Sequence, residues 1–135
     1  MKVFKFLPPY QRNGKITYPD KKRSGVYIIK ENGKITYIGN SSKNVIYKTM
    51  YRHFQRWNHR GQEVITYASK LKSNKYTVRV IYTTPNQAIR LERYLILKYR
   101  PRDNENQYLN YELDLKDKKT YEVYVSTEPE EDCPY

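Results

Sequence analysis

The sequence predicts an α+β domain, a three-stranded antiparallel sheet flanked by helices in the order β-β-α-β-α. Three observations carry this. Two short β-branched runs are joined by an Asn-Gly pair. An apolar series with helical spacing follows them. A later alternating run leads directly into a helix-start signal.

The first run, Val26 to Ile29, and the second, Ile35 to Ile38, flank Glu31-Asn32-Gly33-Lys34. Asn-Gly between apolar runs favours a type I′ hairpin, because that turn needs two residues at positive φ. With Asn32-Gly33 as the turn, Ile28 faces Tyr37 and Tyr27 faces Ile38, and the two tyrosines approach each other diagonally. The polar loop Asn40-Ser41-Ser42-Lys43-Asn44 then ends at a residue suited to cap a helix. That helix is expected from Val45 to Trp57, with Ile46, Met50, Phe54 and Trp57 on one stripe, stopped by Asn58-His59-Arg60-Gly61. Residues 62–74 are ambiguous, with a short helix around Ala68 to Lys72 as one reading. Thr77 to Tyr82 alternates as a strand does. Thr84-Pro85-Asn86-Gln87 combines an N-cap, a proline at the first helical position and a capping box, opening a helix to about Tyr99 that stops before Pro101. Residues 1–20, with Pro8-Pro9, Asn13-Gly14 and Pro19, form an irregular arm with room for one short strand. Tyr121 to Val125 could add another.

The length of 135 residues suits one domain with a modest core. Charge is divided unevenly along it. Residues 1–110 hold 23 Lys and Arg against 6 Asp and Glu, and residues 111–135 hold 3 against 8, giving the net +12. A body this basic calls for a polyanion, and nucleic acid is the expected partner, with a merely solvated basic surface as the plain alternative. No apolar run reaches the ~18–20 residues that span a bilayer, and the N-terminal segment is too short and charged for a signal-peptide core. The single Cys133 has no disulfide partner and no ligand at metal-binding spacing, so an intracellular, cytoplasmic location is expected.

Glu92 is the residue most open to a chemical role. On a helical wheel its neighbours are Ala88, Ile89, Leu95 and Ile96, and a carboxylate centred on such a stripe is costly to bury without compensation. A metal ion or a buried Arg supplies that; a salt bridge at the edge of the stripe is the alternative.

Gly25-Val26-Tyr27 and Tyr37-Ile38-Gly39, followed by Leu91-Glu92-Arg93 and Pro101-Arg102-Asp103-Asn104, resemble in type and order the signature of the GIY-YIG nuclease superfamily, with Val26 in place of the usual Ile. The resemblance covers roughly Ser24 to Asn104. It divides the chain into an arm (1–23), a GIY-YIG-like domain (24–110) and an extension with an acidic tail (111–135), the last part of the same single domain. It implies a DNA endonuclease that hydrolyses phosphodiesters with one Mg²⁺ or Mn²⁺. Glu92 would be the metal ligand, Tyr27 the base or water ligand, Tyr37 the positioner and Asn104 a supporting residue. The base role needs a phenol whose pKa is depressed by cationic neighbours.

The chain departs from the family at the catalytic Arg. The slot about eight residues after Gly39 holds Tyr47, and aligning Arg52-His53-Phe54 with the family's Arg-His-Phe-like ending puts Thr49 there instead. Arg52 is the expected phosphate clamp and Arg56 the second choice, one turn further along the same face. His53 is the candidate proton donor to the leaving oxygen, or else a plain exposed helix residue. Lys43, Lys48, Arg56 and Arg60 supply a nucleic-acid-binding surface interleaved with Tyr47, Tyr51 and Trp57. Without an Arg in reach, the alternatives are a non-catalytic nucleic-acid-binding module on the same fold, or a basic domain that binds an acidic protein.

Overall fold

The hairpin turn is formed as its residues dictate, with Asn32 at φ 51° and Gly33 at φ 83°. The structure, a computed structural model, describes residues 1–9, 22–55, 65–109 and 111–131. Arg56, Trp57, His59, Arg60, Cys133, Asn13-Gly14 and Pro19 lie outside the described residues.

Strands β1 (Lys2–Val3), β2 (Gly25–Glu31), β3 (Lys34–Ser41) and β4 (Tyr76–Tyr82) form one antiparallel sheet of order β1-β4-β2-β3. Among the described residues the sheet therefore has four strands, not three. The extra strand is the start of the N-terminal arm, which pairs Lys2 with Tyr82 and Val3 with Ile81.

The hairpin register differs from expectation in a way that matters for the site. Next to the turn, Glu31 faces Lys34 and Lys30 faces Ile35, as the turn requires. A bulge then intervenes. Beyond it Ile29 faces Tyr37, Ile28 faces Ile38 and Tyr27 faces Gly39. The extra residue is Thr36, buried, whose hydroxyl donates to the Ile29 carbonyl at 3.3 Å. Side chains alternate along a strand, so a one-residue offset exchanges the faces of a whole segment. Without the bulge, Tyr27 and Tyr37 would point to opposite sides of the sheet; with it they share one.

Helix α1 (Ile46–Tyr51) is shorter than expected. Asn44 does not cap it. It adopts φ 60°, and the Ser41 hydroxyl accepts from the Val45 amide at 3.1 Å. The helix tightens into a 3₁₀ turn over Arg52–Phe54, and Gln55 is already extended. Ile46, Met50 and Phe54 are buried as their spacing predicts. A second 3₁₀ turn occupies Ala68–Lys70. Helix α2 (Pro85–Tyr99) has the full capping box of Thr84 and Gln87, with Pro85 leading it, and ends at Arg100 in the left-handed conformation. A 3₁₀ turn at Arg102–Asn104 and helix α3 (Glu105–Tyr108) follow.

Tyr121 to Val125 is helical, not a strand. It belongs to α4 (Leu115–Ser126), which opens with a reciprocal cap between Asp114 and Asp117. Tyr121 stacks on Tyr94 of α2 with ring centroids 4.2 Å apart, and the Arg79 guanidinium donates to the Tyr124 hydroxyl at 3.0 Å. Packing against α2 overrides the strand preference of Tyr121, Val123 and Val125.

Two cores result, one on each face of the sheet. Tyr27, Ile29, Val78 and Val80 pack against Ile46, Tyr47, Met50 and Phe54. Val26, Ile28, Ile38 and Ile81 pack against Ala88, Leu91, Leu95 and Ile96. No helix among the described residues is long and apolar enough to cross a membrane.

Candidate active site

Two of the three glycines of the hairpin, Gly25 and Gly39, are set by close approach. Gly39 lies opposite Tyr27, and a Cβ on it would overlap Cζ and Oη of that side chain and sit 2.8 Å from Cε2. A Cβ on Gly25 would overlap the Ile81 carbonyl oxygen. Gly39 thus leaves the space that the Tyr27 ring and hydroxyl occupy beside β3.

The Tyr27 hydroxyl, in a side chain only 1% exposed, meets Nε2 of His53 at 2.9 Å. His53 Nδ1 lies 2.8 Å from the Ile65 carbonyl. A carbonyl only accepts, so Nδ1 carries the ring proton and Nε2 is the acceptor for Tyr27. Tyr37 is half-buried, its ring 6.2 Å from that of Tyr27 and 4.4 Å from that of His53. The three rings form one cluster, made possible by the bulge.

The electrostatics reverse two expectations. Burial lowers the His53 pKa to about 4, offset in part by the Ile65 hydrogen bond, so the ring is neutral near pH 7. Both nitrogens are engaged, and the ring as placed accepts the Tyr27 hydroxyl proton in a hydrogen bond rather than offering a free N–H to a leaving oxygen. Tyr27 is held well above the ordinary phenol range by burial first, then by Tyr37 and Glu92. Tyr37 is pushed up to about 12 by burial and by Glu92. The depressed phenol expected from cationic neighbours is therefore absent, because burial above all, and then the neighbouring phenol and Glu92, push the Tyr27 hydroxyl up.

Glu92, 5% exposed, stands on α2 against the edge strand. Its flanking Ala88, Leu95 and Ile96 are buried, whereas Ile89 is exposed. Oε2 accepts from the Asn40 amide, and Oε1 accepts from the Tyr111 hydroxyl at 3.1 Å. Burial raises its pKa, and these two donors oppose that. The carboxylate borders a recess of about 410 Å³ lined by Asn40, Ile89, Arg93, Tyr111 and Glu112. Among the described residues no group of three or more His, Cys, Asp or Glu gathers as a metal site. With the exposed Glu112 also at the recess, Glu92 is the buried carboxylate that fits a hard divalent cation with open space before it, since Mg²⁺ accepts one or two carboxylates and keeps most of its water.

Asn104 is fully buried and pairs with the edge strand. It accepts from the Ile38 amide at 2.8 Å and donates to the Ile38 carbonyl at 2.9 Å. This holds β3 between Tyr37 and Gly39. Arg52 is half-exposed, immediately before His53, and close enough for its charge to oppose protonation of that ring. Tyr47, in the slot eight residues after Gly39, is buried and hydrogen-bonded to the Tyr82 hydroxyl. Thr49 donates to the Val45 carbonyl. Lys43 and Lys48 are exposed.

Sequence reasoning missed Asn40 and Tyr111. Asn40 is the residue immediately after Gly39, and its place opposite Val26 on the α2 face follows once the bulge is known. No local signal marks Tyr111 among the 16 tyrosines.

Residues 23–108 match the family described as the GIY-YIG catalytic domain. The chain belongs to that family, whose members are nucleases. No curated protein matches it.

Proposed function

We propose that the protein is a metal-dependent DNA endonuclease whose active site wraps around the edge of β3. The reading rests above all on Glu92, a carboxylate almost fully buried on an apolar helix face, held through both oxygens by neutral donors and open to a recess. Keeping such a group charged is costly; Asn40, Tyr111 and the charge of Arg93 offset part of that cost, and a bound cation would offset the rest. Glu92 would hold one Mg²⁺ or Mn²⁺, which when bound supplies Lewis acidity at the phosphate.

The chain's own residues account for the proton. Water that attacks phosphorus must lose a proton, and Tyr27 takes it at its hydroxyl oxygen while its own proton passes to His53 Nε2. The neutral imidazole presents its lone pair there, to the Tyr27 hydroxyl, because Nδ1–H is committed to the Ile65 carbonyl. Tyr37, the more exposed of the two phenols, orients the water or phosphate. Arg52 acts as the phosphate clamp, its planar fork matched to phosphoryl oxygens. Asn104 keeps β3 in register, and Lys43 and Lys48 contact the DNA backbone, joined in this proposal by Arg56 and Arg60.

A second reading, a non-catalytic nucleic-acid-binding module, is favoured by one observation: the expected Arg slot holds buried Tyr47. Supercoiled plasmid incubated with Mg²⁺ or Mn²⁺ separates the two. Wild type should nick or linearise it, EDTA should stop this, and Glu92→Gln should reduce the rate by at least roughly 10²-fold, the scale of losing one preorganised charge stabiliser. Salt-sensitive DNA binding with no products from either protein would favour the binding module.

A further inference from the structure

We propose that Tyr111, three residues past the segment that matches the family, is a positioning residue that orients Glu92 for its cation. This rests on the reading of Glu92 as the metal ligand.

The geometry is a continuous chain of hydrogen bonds from the sheet edge to the carboxylate. Asn104 is clamped to the Ile38 backbone at 2.8 and 2.9 Å. Its amide also donates to Gln107 Oε1. Gln107 Nε2 donates to the Tyr111 hydroxyl at 3.4 Å, and that hydroxyl donates to Glu92 Oε1 at 3.1 Å. The order of donors is fixed. A Gln amide nitrogen can only donate, so it occupies the acceptor side of the Tyr111 oxygen. The single hydroxyl proton is thereby left for the carboxylate.

The chemistry suits a cation site. Asn40 holds one oxygen of Glu92 and Tyr111 the other. An ionised carboxylate has about four acceptor sites, so two remain for a cation entering from the recess. A Lys or Arg in the place of Tyr111 would also stabilise the anion, but it would cancel the negative charge that attracts the metal. A neutral hydroxyl fixes the carboxylate without adding to the positive charge that Arg93 already brings to the recess. Tyr111 itself lines the recess, so its ring also shapes the space before the carboxylate.

The test uses Mn²⁺ alone, titrated calorimetrically into the full chain in four forms: wild type, Glu92→Gln, Tyr111→Phe and the two combined. Phenylalanine keeps the ring and its packing and removes only the hydroxyl. Tyr111→Phe should bind Mn²⁺ about tenfold more weakly, the lower end of what losing an outer-shell partner of a metal ligand costs. Adding Tyr111→Phe to Glu92→Gln should change Mn²⁺ binding no further, because the hydroxyl acts only through that carboxylate. A ring that only fills space would leave Mn²⁺ binding of Tyr111→Phe unchanged. Binding lost in Glu92→Gln but unchanged in Tyr111→Phe overturns the Tyr111 assignment alone. Equal binding by wild type and Glu92→Gln overturns the metal reading, and this inference with it. If Tyr111→Phe does not fold, Gln107→Met examines the same chain: weaker Mn²⁺ binding sustains the inference, and unchanged binding overturns it.

Discussion

Gly39→Ala is the sharpest probe of how the tyrosine cluster is built. The added Cβ would overlap Cζ and Oη of Tyr27 and press on Cε2 at 2.8 Å. Tyr27 cannot swing aside freely, since its ring is buried and its hydroxyl is bonded to His53 at 2.9 Å. Forcing a methyl into such a space costs about 1–3 kcal/mol. Replacing glycine by alanine returns about 0.4–1 kcal/mol by restricting the unfolded chain. The net loss should be roughly 1–2 kcal/mol. In urea, with a slope near ~2 kcal/mol/M, this lowers the midpoint by roughly 0.5–1 M at unchanged slope. The same substitution made in Tyr27→Leu, where the ring is gone, should be neutral or slightly stabilising. A double-mutant cycle should therefore give a coupling of about 1–2 kcal/mol between positions 27 and 39. Additive effects within ~0.5 kcal/mol would show that the Tyr27 ring is not what demands glycine at 39, and would refute the reasoning.

Two further outcomes follow from the same geometry. The folded-state pKa of His53, about 4, lies below its ordinary 6.5, so its contribution to stability is complete above about pH 6.5 and is lost as pH falls toward 4. Between pH 7 and pH 4, wild type should lose roughly 2–3 kcal/mol more stability than His53→Gln, and parallel profiles in urea titrations would rule out a buried neutral imidazole. Asn104→Leu should strip the edge strand of both bonds at Ile38, cost about 2–4 kcal/mol, and speed hydrogen exchange at the Ile38 amide beyond that of its neighbours; unchanged protection there would show that Asn104 does not clamp β3.

Much of this fold is legible because its signals are local. Thr84, Pro85 and Gln87 satisfy the first turn of α2 among themselves, so three residues suffice to locate it. Asn32-Gly33 likewise fixes the turn from two residues. The start of α4 was concealed because its box closes with Asp117 in place of the usual Glu or Gln, and because Val123 and Val125 favour strands wherever packing does not decide. Glu92 stands out through contrast, as a carboxylate among apolar neighbours. Its donors do not, because Asn40 and Tyr111 become its partners only through the fold, 52 and 19 residues away in sequence. His53 was visible as a residue but not as an acceptor, since its role depends on the Ile65 carbonyl lying against Nδ1.

The bulge at Thr36 connects these separate facts. Beyond it, odd-numbered residues of β3 face α1 and even-numbered ones face α2, so Tyr37 and Gly39 meet Tyr27 while Asn40 meets Glu92. A regular hairpin would reverse both sets, sending Tyr37 toward α2 and Asn40 toward α1. The phenols and the carboxylate thus belong to opposite faces of the sheet. They act on one another only because β3 is its last strand, and the influence of Glu92 on both Tyr27 and Tyr37 records that proximity around the edge. An exposed edge is ordinarily a liability, as it offers unpaired backbone groups to other chains. Here Asn104 closes it at Ile38 with a side chain that imitates a strand neighbour. The edge can therefore carry functional groups on both faces without recruiting another strand at that point. The side chain that seals the edge also begins the hydrogen-bond chain that reaches Glu92, so the register of β3 and the aim of the carboxylate depend on the same residue.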